Sequence, residues 1–163
     1  MKKIYTLILL CSFFLSCEAQ PGPTTFSEKA LNDAFVNLEG ESVSFKSILE
    51  AYKGQTILID VWASWCRDCI VGLPNLKALQ EEHKDVVYVF LSMDKSQKSW
   101  RNGIKKYEIT GEHYFMPSGW KSDFSDFADL DWVPRYMVVG ADGKIKLFRA
   151  IKANDPKIKE QLK

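Results

Sequence analysis

From Ile57 the chain runs apolar without alternation, Ile57-Leu58-Ile59 and then Val61-Trp62-Ala63, which is the pattern of a strand buried on both faces. One acid, Asp60, interrupts it. Past Cys69 the period changes: Ile70, Leu73, Leu76 and Leu79 or Ala78 recur at helical spacing as far as His83. Residues 86–93 form a second buried-strand pattern, and 96–107 a second helix with Trp100 and Ile104 on one face. Strand, helix and strand in that order predict a right-handed parallel crossover. Upstream, residues 34–38 and 43–45 read as two short strands about a turn at 39–42, with a helix over 44–52 capped by Ser44. Downstream, Val133-Pro134 precedes a strand at 135–139, since proline can begin a strand but not sit inside one. Asp142-Gly143 turns the chain into a partner strand at 144–150, and 156–162 closes as a short helix. The stretch 110–131 carries Tyr114, Phe115, Trp120, Phe124 and Phe127 among Gly, Ser and Asp. It reads as a loop and short helix whose aromatics cover the core; the alternative is an insert that shapes an apolar partner groove.

Between the first strand and its helix lies Ser64-Trp65-Cys66-Arg67-Asp68-Cys69. Both thiols therefore fall at a strand-to-helix turn, with Cys66 at the amino end of the helix. Unpaired N–H groups and the positive end of the helix dipole favour a thiolate there. Two intervening residues place the cysteines on one turn, close enough to bond to each other. The reading is a redox-active dithiol, with Cys66 nearer the terminus and expected to be the more exposed. Asp60, flanked by aliphatic residues, is expected to be buried and to have its charged form disfavoured.

The run Asp60-Val61-Trp62-Ala63-Ser64-Trp65-Cys66-Arg67-Asp68-Cys69 resembles the active-site segment of the thioredoxin superfamily. Among its branches it is most similar to membrane-anchored thiol-disulfide oxidoreductases of the TlpA/ResA type, over roughly residue 34 to the carboxyl end. The resemblance implies an α/β thioredoxin-like fold, a central mixed sheet flanked by helices, with an added amino-terminal hairpin. It implies that Cys66 attacks, Cys69 resolves and Asp60 accepts the Cys69 proton. Pro134 matches the cis proline that faces the disulfide, Val133 would offer backbone groups to a substrate chain, and Trp65 would shield one side of the pair. Pro74 matches the proline that kinks the active-site helix. Relatives often carry a glutamate in a central insert; Glu108 and Glu112 are available, without a motif that transfers the role. Arg67-Asp68 departs from the usual Gly-Pro or Pro-Pro, and its opposed charges leave the redox potential unread.

The amino terminus reads as a targeting segment over residues 1–16: Lys2-Lys3, an apolar stretch at 4–15, then Phe14-Leu15-Ser16-Cys17, which resembles a bacterial lipobox with Phe in place of the usual Leu. Cys17 would then carry lipid, residues 17–33 would form a tether and 34–163 the domain. A plain secretory signal cleaved near Ala19, or an uncleaved anchor, is the alternative. Cys11 would be discarded, which leaves Cys66 and Cys69 as the thiols of the mature domain. The full chain of 163 residues has a net charge of +1, and loss of Lys2 and Lys3 with no acid turns this into −1, so charge points neither to nucleic acid nor to an acidic partner. The implied partners are envelope protein thiols and disulfides, an upstream thiol electron donor, and a membrane through the lipid. No cofactor beyond the Cys66–Cys69 disulfide is implied. A zinc site lacks a second pair, and haem attachment lacks a His at position 70. Thiol peroxidases set a single Cys after a Thr. A Cu(I)-binding or copper-delivering module on the same fold stays open, because two thiolates suit Cu(I).

Overall fold

The computed structural model describes residues 22–162. Seven strands form one sheet in the order β2-β1-β5-β4-β3-β6-β7. Its centre is β3 (Ile57–Trp62), buried at every position, paired parallel to β4 (Val87–Ser92) and antiparallel to β6 (Arg135–Val139). The unbroken apolar run is thus explained by cover on both faces. Helix α3 (Arg67–Glu82) makes the crossover from β3 to β4 and turns Cys69, Leu73, Leu76 and Leu79 inward. Pro74 lies inside α3. Helix α4 (Gln97–Tyr107), capped by Ser96, buries Trp100 and leads to β5 (Glu112–Phe115).

Strand β5 is where the structure departs from the loop expected over residues 110–131. Val89–Ser92 of β4 flanks it on one side in parallel, and Val36 of β1 (Ala34–Val36) pairs with Phe115 on the other. Four residues are too few for periodicity to announce a strand, so its partners define it. This strand joins the amino-terminal hairpin, β1 with β2 (Ser42–Ser44), to the sheet. The rest of the stretch is a 3₁₀ turn (Gly119–Lys121) and helix α5 (Asp123–Phe127).

The apolar positions Ile57, Ile59 and Val61 point away from α3, toward α1 (Glu28–Leu31), α2 (Phe45–Ala51) and α5. An aromatic cluster of Phe26, Phe35, Phe45, Phe124 and Phe127 fills this layer, with ring centroids 4.7 Å apart for Phe45–Phe124 and 4.9 Å for Phe26–Phe45. Phe26 and α1 fall within the stretch read as a tether, and Thr24 accepts a hydrogen bond from the Ile145 amide of β7 (Ile145–Ala150). The folded unit therefore starts before residue 34, because Phe26 supplies a ring that the cluster buries. The chain ends in α6 (Pro156–Gln161), which seats Ile158 in the core. Residues 1–21, including the targeting segment and Cys17, lie outside the described residues.

Candidate active site

The site begins with a helix cap. Cys66 is the residue that precedes α3, and its Sγ accepts the Cys69 N–H at 3.1 Å. One of the orphan amide donors of the helix is thereby spent on the sulfur, as a serine or aspartate cap would do. Cys66 and Cys69 are joined as a disulfide with Cα atoms 5.3 Å apart. The expectation that Cys66 is the more exposed is corrected: both cysteines are 3% exposed, Cys69 on the inward face of α3 and Cys66 against the Val133 carbonyl. What separates them is their surroundings. The Val133 carbonyl oxygen lies 3.4 Å from Cys66 Sγ, where a thiol of the reduced form can donate to it. The Val133–Pro134 peptide bond is cis, and Pro134 leads directly into β6.

Asp60 sits on β3, 3% exposed. Its cross-strand neighbours are Phe90 on β4 and Tyr136 on β6, so the carboxyl lies among aromatic side chains on the sheet face that α3 covers, where Tyr136 reaches Gly72. Its Oδ1 is buried without a hydrogen-bond partner. Burial pushes the carboxyl up to about 8, with no cation offsetting the lost hydration. A group in that range can take and return a proton near neutrality. The Tyr136 hydroxyl is raised by its own burial and then by the neighbouring Asp60.

Beside the disulfide runs a groove of about 510 Å³ whose walls include Val71, Gly72, Trp132, Pro134, Tyr136 and Ile151. Val71, Trp132 and Ile151 are exposed apolar side chains at its rim. Position 72 lies against the Tyr136 hydroxyl, where a Cβ would come within 3.3 Å of that oxygen. Trp65, next to Cys66, is exposed at 47%, whereas Trp62 is core. Of the groove residues, sequence reading found Pro134 and missed the others, and it also missed a role for Arg135, which sits fully buried one residue past Pro134. Its guanidinium donates to the carbonyls of Ala128 and Asp129 and to Asp131, which lies 2.6 Å away. Arg149 binds Asp129 and Asp131 as well, so two arginines hold the loop that carries Trp132 and Val133. Glu108 and Glu112 are not at the thiols. Glu108 ends α4 in a left-handed conformation, and Glu112 opens β5 beside the Tyr52–Tyr114 hydroxyl pair.

A thioredoxin-like family profile matches residues 54–145, which contain the dithiol, Asp60 and the cis proline. The chain belongs to the thioredoxin-like family. Among solved structures this thioredoxin-like chain is similar to a Bacteroides vulgatus protein assigned as a thiol-disulfide oxidoreductase. The two share 33% identity at a TM-score of 0.68, over 84% of this chain and 88% of the other. A thiol-disulfide oxidoreductase from Bacteroides fragilis is 25% identical, with a TM-score of 0.67 over 82% of this chain and 98% of its own. The thioredoxin-like protein YneN of Bacillus subtilis is 30% identical over 60% of this chain and 58% of its own. The thiol-disulfide oxidoreductase ResA of Bacillus cereus is 22% identical over 66% of this chain and 64% of its own. The thioredoxin-like chain thus spans about three-fifths of the length of these two curated relatives.

Proposed function

We propose that this protein is a thiol-disulfide oxidoreductase of the bacterial cell envelope that reduces disulfides of protein partners. The observation that carries the reading is the Cys66–Cys69 disulfide at the cap of α3, with Cys66 Sγ already accepting an amide donor. In the reduced protein that donor and the helix terminus stabilise a Cys66 thiolate. The thiolate attacks one sulfur of a client disulfide, forms a mixed disulfide and expels the client's other sulfur as a thiolate. Asp60, as carboxylate, takes the proton of the Cys69 thiol. The resulting Cys69 thiolate attacks Cys66 Sγ and releases the second client sulfur. The client has gained two electrons, and the pair is left as the disulfide. A donor dithiol of the envelope returns the two electrons. The groove along Trp132 and Pro134 is where the client segment lies, with Trp65 covering the other side.

Lipidation at Cys17 would hold the domain at a membrane, facing the periplasm or the outside. The basic start, the apolar stretch and the Ser16-Cys17 pair support this reading. Among the described residues no helix is long and apolar enough to cross a membrane.

The test is trapping in envelope extracts. Cys69→Ser leaves the attacking thiol without a resolver, so clients should accumulate as reducible high-mass adducts through Cys66, while Cys66→Ser should trap almost none. A copper-delivery module predicts instead that both variants lose one equivalent of Cu(I) and that neither traps a client. Equal trapping by the two variants would overturn the assignment of roles.

A further inference from the structure

Two residues before Cys66, the chain is held from just past the end of β4. Ser64 presents both of its donors to a single carboxylate: its amide lies 3.0 Å from Asp94 Oδ2, and its hydroxyl 2.6 Å from Asp94 Oδ1. Ser92 Oγ donates to Oδ2 at 2.9 Å and in turn accepts the Asp94 amide at 3.1 Å. Asp94 is 4% exposed and Ser92 fully buried, so this carboxylate has exchanged water for three protein donors. Helix α4 closes against the same point. A Cβ at Gly103 would lie 2.5 Å from Ser64 Cβ and 3.2 Å from the Trp62 ring, so only glycine lets the helix approach. The turn itself is tied by the Cys66 amide to the Ala63 carbonyl at 3.0 Å.

We infer that Asp94 is a positioning residue for the dithiol: through Ser64 it sets where Cys66 Sγ sits relative to the end of α3 and the Val133 carbonyl, and its charge tunes the Cys66 thiolate. Three observations support this. Both oxygens of the carboxylate are engaged by one residue of the active-site turn, which fixes direction as well as distance. The tie spans 30 residues in sequence, so it joins β3 to the β4–α4 junction rather than capping a local turn. The charge is tied two residues before Cys66, and a negative charge close to a thiol disfavours its thiolate. The other groups around Cys66 are few. From α3 come Arg67 and Asp68, both solvent-exposed, and from β3 comes Asp60, while the Val133 carbonyl faces it from the cis-proline loop. At Ser64, α4 presents Gly103; Arg101 of the same helix lies over the Trp100 ring, and Lys95, next to Asp94, is solvent-exposed.

The inference deepens the proposed function and rests on it, but its readouts need no client. The reduced protein is titrated for the Cys66 thiolate by ultraviolet absorbance with Cys69 replaced by Ser. The reduction potential of the intact pair is measured against glutathione. Asp94→Asn removes the charge and keeps the shape, so the thiolate fraction at a fixed pH below the midpoint should rise at least threefold. Ser64→Ala keeps the charge and removes one donor that neutralises it, so the fraction should fall. The two potentials should move in opposite directions, and Asp94→Glu should recover part of the wild-type value. If Asp94 only holds the fold together, both variants lower the melting temperature and leave the thiolate midpoint and potential where they were. That result overturns the inference, as does a shift of the same sign in both variants. Failure of wild-type protein to turn over any protein disulfide would sink the proposed function, and the thiolate shifts would still be read.

Discussion

Replacing Asp60 by asparagine removes a charge that the fold cannot solvate, so the variant should gain stability over the wild type as pH rises. The carboxyl has an ordinary value of 3.8 and is pushed by burial to about 8 in the folded protein. A folded value above the unfolded one means that the native state binds the proton more tightly. The stability contributed by protonated Asp60 is fully present below the unfolded value. It is lost progressively as pH rises through the folded one. By pH 7 roughly three units of that window are crossed, at ~1.4 kcal/mol each, which amounts to about 4 kcal/mol. Asp60 is 3% exposed, so solvent screens little of this. The asparagine amide carries its own unmet hydrogen bonds, a cost of ~1–3 kcal/mol that does not vary with pH. The pH slope is therefore the discriminating quantity. Guanidinium unfolding of the oxidised proteins at about pH 4, 7 and 9 should give stability differences that grow in favour of the variant and level off above about pH 8. Parallel curves with a constant difference would refute the buried, unpartnered carboxyl as drawn, and with it the proton acceptor for Cys69.

The same variant should slow resolution of a small-molecule mixed disulfide without slowing attack by Cys66, measured by stopped flow across neutral pH. Cys17→Ser should release the domain from membranes or leave an unprocessed precursor, read by fractionation and by mass; unchanged fractionation and mass would count against lipidation. Arg135→Met should cost about 3 kcal/mol in guanidinium unfolding, because the Ala128 and Asp129 carbonyls lose a fully buried donor. Gly103→Ala should gain ~1 kcal/mol of helix propensity but lose ~1–3 kcal/mol to overpacking against Ser64 and Trp62, a net loss on unfolding and a slower Cys66 reaction.

Local chemistry made much of this molecule legible before any coordinates. The β3 run, the α3 period, Ser44 as a cap, Asp142-Gly143 as a turn and proline ahead of β6 each act within a few residues of themselves. Period, capping and φ restriction are short-range effects, so one sequence suffices to read them. Asp60 was legible for the same reason, being an acid set among aliphatic neighbours. Contacts between distant segments decided the remainder. Strand β5 exists because β4 and β1 offer it ladders on both sides, which four residues cannot signal by themselves. The equal burial of the two cysteines depends on the Val133–Pro134 loop, which folds back over Cys66 from 67 residues away. The groove draws its walls from α3, the loop before β6 and the end of β7, and Arg135 becomes a clamp only when the turn after α5 brings the Ala128 and Asp129 carbonyls within reach. Asp94 carries no local signal of its own, and the fold gave it Ser64 to hold. Hydrogen-bond partners of buried polar groups are chosen by topology, which is why the two cysteines could be found from sequence and the residues that hold them in place could not.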